Sequence, residues 1–198
     1  MEYMKSAFIL IECQNEWLSP KGKLHGLIED RDLFTLSIGN IEKCLKHARD
    51  QKMLVGHVGL RFQKGYPELA NGKSGLNKAI PTFGTFPLNE FGSQFYNPFQ
   101  PMDSEFVVTG RTGASGFSGS NLDIWLRNNK IENIYLVGYA THVCVESTFR
   151  EAHDKGYNPI LITDAGSAFN KNQQEYVVEN IVHHFGECVT TAEFLKTE

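Results

Sequence analysis

Ser6–Ile11 (SAFILI) is an unbroken apolar run of strand length. No polar residue alternates with the apolar ones, so a strand made from it must be covered on both faces. Helices packed above and below a parallel sheet provide that cover. The rest of the chain repeats the theme. Residues 32–51 read as a long amphipathic helix, with Leu33, Leu36, Ile41, Cys44, Leu45 and Ala48 near helical spacing. Residues 53–60 (MLVGHVGL) read as a second strand, which closes a right-handed βαβ unit. Further strands are expected at 105–109 (EFVVT), 134–139 (IYLVGY), 159–163 (PILIT) and 187–190 (ECVT). Helices are expected at 121–129, with Ser120 as N-cap, at 143–155, ended by Gly156, and at 173–184. This alternation predicts an α/β chain: one domain over 1–198, three-layer, with a mostly parallel six-stranded Rossmann-like sheet and helices on both faces. Residues 61–104 break the pattern. They are rich in Gly, Pro, Asn and Phe and hold no period, with one short helix expected near 88–95. An excursion of that length is expected to cover a cleft or form an oligomer contact.

A net charge of −4 argues against a nucleic-acid or anionic-membrane partner. No apolar run approaches the roughly 20 residues of a membrane span, and the first residues lack a signal-peptide cleavage pattern. Cys13, Cys44, Cys144 and Cys188 are scattered without C-x-x-C spacing, which argues against a zinc site or a disulfide framework and for a cytoplasmic location.

The stretch from Ile134 to Ala152 (IYLVGYATHVCVESTFREA) carries the chemistry. A buried strand turns sharply into a helix, and Cys144 falls in the first helical turn. Free backbone N–H groups there favour anions and lower a thiol pKa. The same groups suit the oxyanion of an acyl-transfer intermediate. A buried structural cysteine is the other reading of Cys144. In parallel sheets, ligands bind beyond the carboxyl ends of the strands. Glu12 ends the first strand, Arg111 lies just past the third, and Ala140, Thr141 and Cys144 follow the fourth. Their convergence on one sheet edge favours the functional reading. The loop 110–116 (GRTGASG) is glycine-rich, but it lacks both the G-K-[ST] ending and the G-x-G-x-x-G order. No cofactor is therefore expected, and a nucleotide or flavin binder is disfavoured.

These segments resemble the isochorismatase-like cysteine hydrolases, a family that includes nicotinamidases, N-carbamoylsarcosine amidases and isochorismatase. The family's V-I-D-M-Q-N-D-F appears as Ile11-Glu12-Cys13-Gln14-Asn15-Glu16-Trp17, and its lysine loop K-x-x-x-S-A-F-x-x-T-x-L as the stretch from Arg111 to Leu122. The nucleophile segment G-x-x-T-x-x-C-V is Gly138 to Val145, and the D-A of the next strand is Asp164-Ala165. Order and spacing agree over nearly the whole chain, least well over 61–104.

The resemblance implies an Asp–Lys–Cys triad that cleaves a small amide, imide or related C–N substrate through a thioester. Here the aspartate is Glu12, the lysine is Arg111, and Cys144 is retained. Both changes keep the charge type. A bidentate Glu12–Arg111 pair is expected to weaken Glu12 as a base, and arginine cannot relay a proton. The alternative is a fold-retaining family member that binds or regulates through a small molecule without hydrolysis. In relatives the turn at Ala140, Thr141 and Cys144 supplies the oxyanion hole, and the bond equivalent to Tyr139–Ala140 is often cis. Gln14 is a candidate for hydrogen bonding in the pocket or for a place at the core edge. Trp17 and Phe117 are expected in an aromatic wall. His142 is expected to face the cleft or a subunit contact, and His57 and Arg61 to meet an anionic substrate. Nicotinamidases hold a divalent ion with Asp-x-His and a distant His. The segment His57-Val58-Gly59-Leu60-Arg61 has no such pattern, and His183 and His184 lie in the last helix, so no catalytic metal is expected. Relatives form homodimers or homotetramers, and a small-molecule substrate is the other expected partner.

Overall fold

The computed structural model describes residues 5–69 and 72–197. Its strands are β1 Ser6–Ile11, β2 Leu54–Val58, β3 Phe106–Val107, β4 Asn133–Tyr139, β5 Asn158–Ser167 and β6 Glu187–Val189. They form one sheet in the order β3-β2-β1-β4-β5-β6, and every neighbouring pair is parallel. β1 lies in the interior of the sheet with all six residues buried, as its unbroken apolar run requires. Its side chains alternate into two cores. Phe8 and Leu10 join α2 (Arg31–Asp50) on one face, whereas Ala7, Ile9 and Ile11 join α4 (Leu122–Asn128), α5 (Glu146–Asp154) and α6 (Lys171–Asn180) on the other. The result is the expected three-layer α/β architecture.

Several boundaries differ from the sequence expectation for local reasons. Helix α2 starts one residue early because the Asp30 side chain caps it, accepting from Leu33 N–H (2.9 Å). Its buried face runs through Phe34, Ser37, Ile41, Cys44 and Leu45, while Leu36 points outward with 54% of its surface exposed. The expected 105–109 strand contributes only two residues to the ladder, and Gly110 turns away with φ +81°. The 159–163 strand runs longer, through Asp164 to Ser167, past an irregularity in its pairing with β4 between Leu136 and Gly138. The last long helix divides into α6 and α7 (Val182–Phe185) at Ile181.

Three short helices fall outside the expected pattern: α1 (Asn15–Leu18), α3 (Gly75–Phe83) and α8 (Thr191–Phe194). A capping box between Thr190 and Glu193 opens α8. Helix α3 contains Pro81, and that residue hides it from a periodicity reading. The helix expected near 88–95 is a single 3-10 turn, Phe91–Ser93.

Candidate active site

The site forms where β1 and β4 end side by side. Gly138 pairs with Ile11 at φ +119°, and a Cβ on it would lie 2.0 Å from the Ile11 carbonyl oxygen. Only glycine lets the two backbones approach this closely. The chain then passes through a cis Tyr139–Ala140 peptide, as the resemblance implied. A π-type turn follows over Thr141–Val145, in which the Ala140 carbonyl accepts from both Val143 and Val145 N–H (3.0 and 3.3 Å). Cys144 thus sits in that turn, two residues before the start of α5 at Glu146.

On the β1 side Glu12 adopts φ +49°, a left-handed conformation uncommon outside glycine. Hydrogen bonds hold it there: Glu12 N–H donates to the Val58 carbonyl (2.7 Å), and Gln14 N–H donates to the Glu12 carbonyl (2.6 Å). Strained residues of this kind concentrate at functional sites. The Glu12 side chain is buried and its two oxygens take different donors. Arg111 Nη2–H donates to Oε1 (2.7 Å), and the indole Nε1–H of Trp17 donates to Oε2 (2.8 Å). The bidentate fork expected between Glu12 and Arg111 therefore does not form, because Trp17 occupies the second oxygen. Arg111 is fixed by its own loop. Its Nε–H donates to the carbonyls of Gly113 (3.1 Å) and Ser115 (3.2 Å), and Nη2–H also donates to the Ala114 carbonyl. Its Nη1 is buried without a hydrogen-bond partner. Thr148 joins this loop to the Cys144 segment: its hydroxyl accepts from Gly116 N–H (2.8 Å) and donates to the Cys144 carbonyl (2.7 Å).

Cys144 interacts electrostatically with both Glu12 and Arg111. Burial pushes its thiol well above the ordinary value, Glu12 pushes it further up, and Arg111 only partly offsets them. The expectation that a helix start lowers this pKa is thus overturned by burial. Arg111 is held charged: burial opposes its charge, but the neighbouring Glu12 raises its pKa and outweighs burial. The arrangement presents a protonated thiol beside a carboxylate. The general-base geometry this suits is one in which proton transfer accompanies attack.

Glu12 and Cys144 line a cavity of about 240 Å3. Trp17, Leu60, Val143 and Phe169 form its walls, and Leu24 and Leu27 part of its rim. The excursion at 61–104 contributes Leu76, Ala79, Ile80, Phe83, Thr85 and Phe86, so it does cover the cleft. Arg111 and Trp17 thus meet at Glu12, and the buried Ala140 and Thr141 lead from β4 into the Cys144 turn without lining the cavity.

The other sequence candidates lie elsewhere. Gln14 is fully buried and staples loops together: its Nε2–H donates to the carbonyls of Leu60 (2.9 Å) and Ser93 (2.7 Å), and its Oε1 accepts from Leu60 N–H (2.9 Å). Phe117 is not in the aromatic wall; it stacks on Tyr157 with centroids 5.9 Å apart. His57 does not line this cavity. It is fully buried, with Nε2 2.8 Å from Glu105 Oε2 and its ring edge-on to Phe95. Arg61 stacks over Phe95 (4.6 Å) outside this cavity. His142 stands behind the wall, edge-on to Phe169 (4.5 Å), and burial lowers its pKa while Glu146 opposes that shift. Among the described residues, no group of three or more His, Cys, Asp or Glu side chains is arranged to hold a metal ion. Nor is any described helix long and apolar enough to cross a membrane. Sequence reasoning missed Phe169, Phe86 and the Thr148 bridge. Phe169 and Phe86 are apolar residues on loops, where no periodicity marks them.

Comparison with known proteins agrees with this fold. The isochorismatase domain profile matches residues 6–193. An isochorismatase family protein of Bacillus subtilis (strain 168) is 30% identical, over 99% of this chain and 95% of its own length. The ureidoacrylate amidohydrolase RutB of Variovorax paradoxus (strain S110) is 29% identical, over 97% of this chain and 81% of its own. A cysteine hydrolase from Pseudomonas syringae pv. phaseolicola has the same fold at a TM-score of 0.85, with 21% identity over 99% of this chain and 93% of that one.

Proposed function

The chain belongs to the isochorismatase family, among whose members is a ureidoacrylate amidohydrolase, and from that premise we propose that it is a cysteine hydrolase cleaving a small amide, imide or related C–N substrate. The observation that carries the reading is the meeting of Cys144 and Glu12 on one cavity wall, with Arg111 bonded to Glu12 behind them. In the proposed first step Glu12 takes the thiol proton as Cys144 Sγ bonds to the carbonyl carbon. Each Glu12 oxygen accepts one hydrogen bond and keeps a second lone pair for that proton. The C=O electrons move onto oxygen, which the backbone N–H groups of the 140–144 turn hold. Collapse of the intermediate breaks the C–N bond; the leaving nitrogen takes the proton from Glu12, and a thioester remains. Water then attacks the thioester, Glu12 takes a proton from it, and Sγ leaves and is reprotonated. Arg111 keeps its charge throughout and orients Glu12.

The test compares the wild-type protein with Cys144→Ala on a panel of small amides. Turnover should fall by about a thousandfold or more while circular dichroism stays unchanged. Acid-quenched wild type should carry an acyl adduct on Cys144 in its intact mass. Equal rates in the two proteins would exclude the reading.

A second reading, a fold-retaining binding or regulatory protein, draws on one observation: the thiol is held protonated beside a carboxylate already engaged by two donors. It predicts ligand-induced thermal stabilisation with no acyl adduct for any amide.

A further inference from the structure

The chemistry of the cavity wall narrows the substrate class. Glu12 and Cys144 form the reacting end; of the other lining residues among those described, Thr85 alone is polar and none is charged. Arg111, behind Glu12, does not line the cavity and is engaged by Glu12 and by the carbonyls of its own loop. Lys23 bonds to the Gly84 carbonyl and does not line the cavity, and Arg61 rests on Phe95 outside it. A carboxylate on the far end of a substrate would lose its water among Leu60, Ile80, Phe86 and Phe169 and gain no counter-charge. At ~30 Å3 per water, 240 Å3 holds about eight water-sized groups.

We propose that this cavity takes a small, uncharged substrate, an amide with an apolar acyl chain or ring, and discriminates against substrates bearing a second, anionic group. The inference rests on the hydrolase reading only for where the scissile group sits. The binding preference is measurable without turnover.

The test uses Cys144→Ser, which retains the site's shape, and compares pentanamide with succinamate, an amide of similar length ending in carboxylate. Calorimetric titration at neutral pH should show pentanamide binding roughly tenfold or more tighter. Leu76→Arg, at the half-exposed rim, should then shift the ratio by roughly tenfold towards succinamate. Equal or tighter binding of succinamate by the parent, no measurable binding of pentanamide, or an unchanged ratio in Leu76→Arg would each overturn the proposal. Wild-type turnover is scored separately. An apolar preference without hydrolysis sinks the hydrolase reading alone, whereas hydrolysis of succinamate in preference to pentanamide sinks this inference alone.

Discussion

The Trp17 indole N–H on Glu12 Oε2 is the contact that most changes the reading of the site. It leaves Arg111 a single point of attachment to the carboxylate and fixes the plane in which Glu12 faces Cys144. Trp17→Phe keeps the buried ring and removes only that donor. A base displaced by a fraction of an ångström loses rate steeply, so kcat should fall by about tenfold to a hundredfold with KM little changed. An unchanged kcat would show that Arg111 alone orients the base. Glu12 also sets the thiol. Because Glu12 raises the Cys144 pKa, Glu12→Gln should lower it. Iodoacetamide labelling followed against pH should therefore shift to lower pH in the variant, while amide turnover is lost. A shift to higher pH, or none, would contradict the charge coupling described above. The three residues of the proposed triad were legible in the sequence because each follows a strand within a spaced motif. Trp17's role was not, since an indole reads as a wall and its N–H partner lies five residues away across a turn that the sequence does not reveal.

At the scale of elements, the turn from β4 into α5 depends on the contact between Gly138 and Ile11. Gly138→Ala would place a methyl carbon 2.0 Å from a backbone oxygen at φ +119°. It should cost about 2 kcal/mol or more, as backbone strain and overpacking add. Urea unfolding of the purified variant measures the loss, and full stability would mean that the strands can separate here. The strands with strong apolar runs, β1 and β4, matched their expected spans closely, because nothing but burial decides them. β3 did not, because its pairing stops where Gly110 turns the chain. Helix α3 escaped notice because Pro81 breaks the pattern, although a proline removes just one N–H and the helix survives to the αL cap at Gly84. Leu76, Ile80 and Phe83 from that helix close the cavity, so the segment hardest to read is the one that shapes what the cavity admits.

For the whole molecule, the edge of the sheet away from Cys144 is held by a buried charge network. Glu105, just before β3, accepts from Arg49 of α2 through Nε–H (2.7 Å) and Nη2–H (2.9 Å) and from Met102 N–H (2.9 Å), and it pairs with His57 of β2 (2.8 Å). One carboxylate thereby links a helix, a strand and the loop that returns to the sheet. Burial alone raises its pKa, but the bonds from His57, Arg49 and Met102 outweigh burial and bring it from 4.5 down to about 2. A folded-state pKa below the unfolded one means that the ionised form stabilises the fold. Its contribution is complete above pH 4.5 and is lost as the pH falls through about 2. Glu105→Gln removes the charge and leaves Arg49 without its ion-pair partner, holding only the Gln100 carbonyl and a neutral amide, so at pH 7 it should cost about 2–4 kcal/mol in denaturant unfolding. The gap between wild type and variant should then narrow as the pH drops from 4.5 towards 2, because wild-type Glu105 becomes protonated as well. A gap that stays constant from pH 7 to 2 would mean that the charge on Glu105 contributes nothing, and that the sheet edge is held by the packing of Phe106 on Trp125 (centroids 4.6 Å apart) instead.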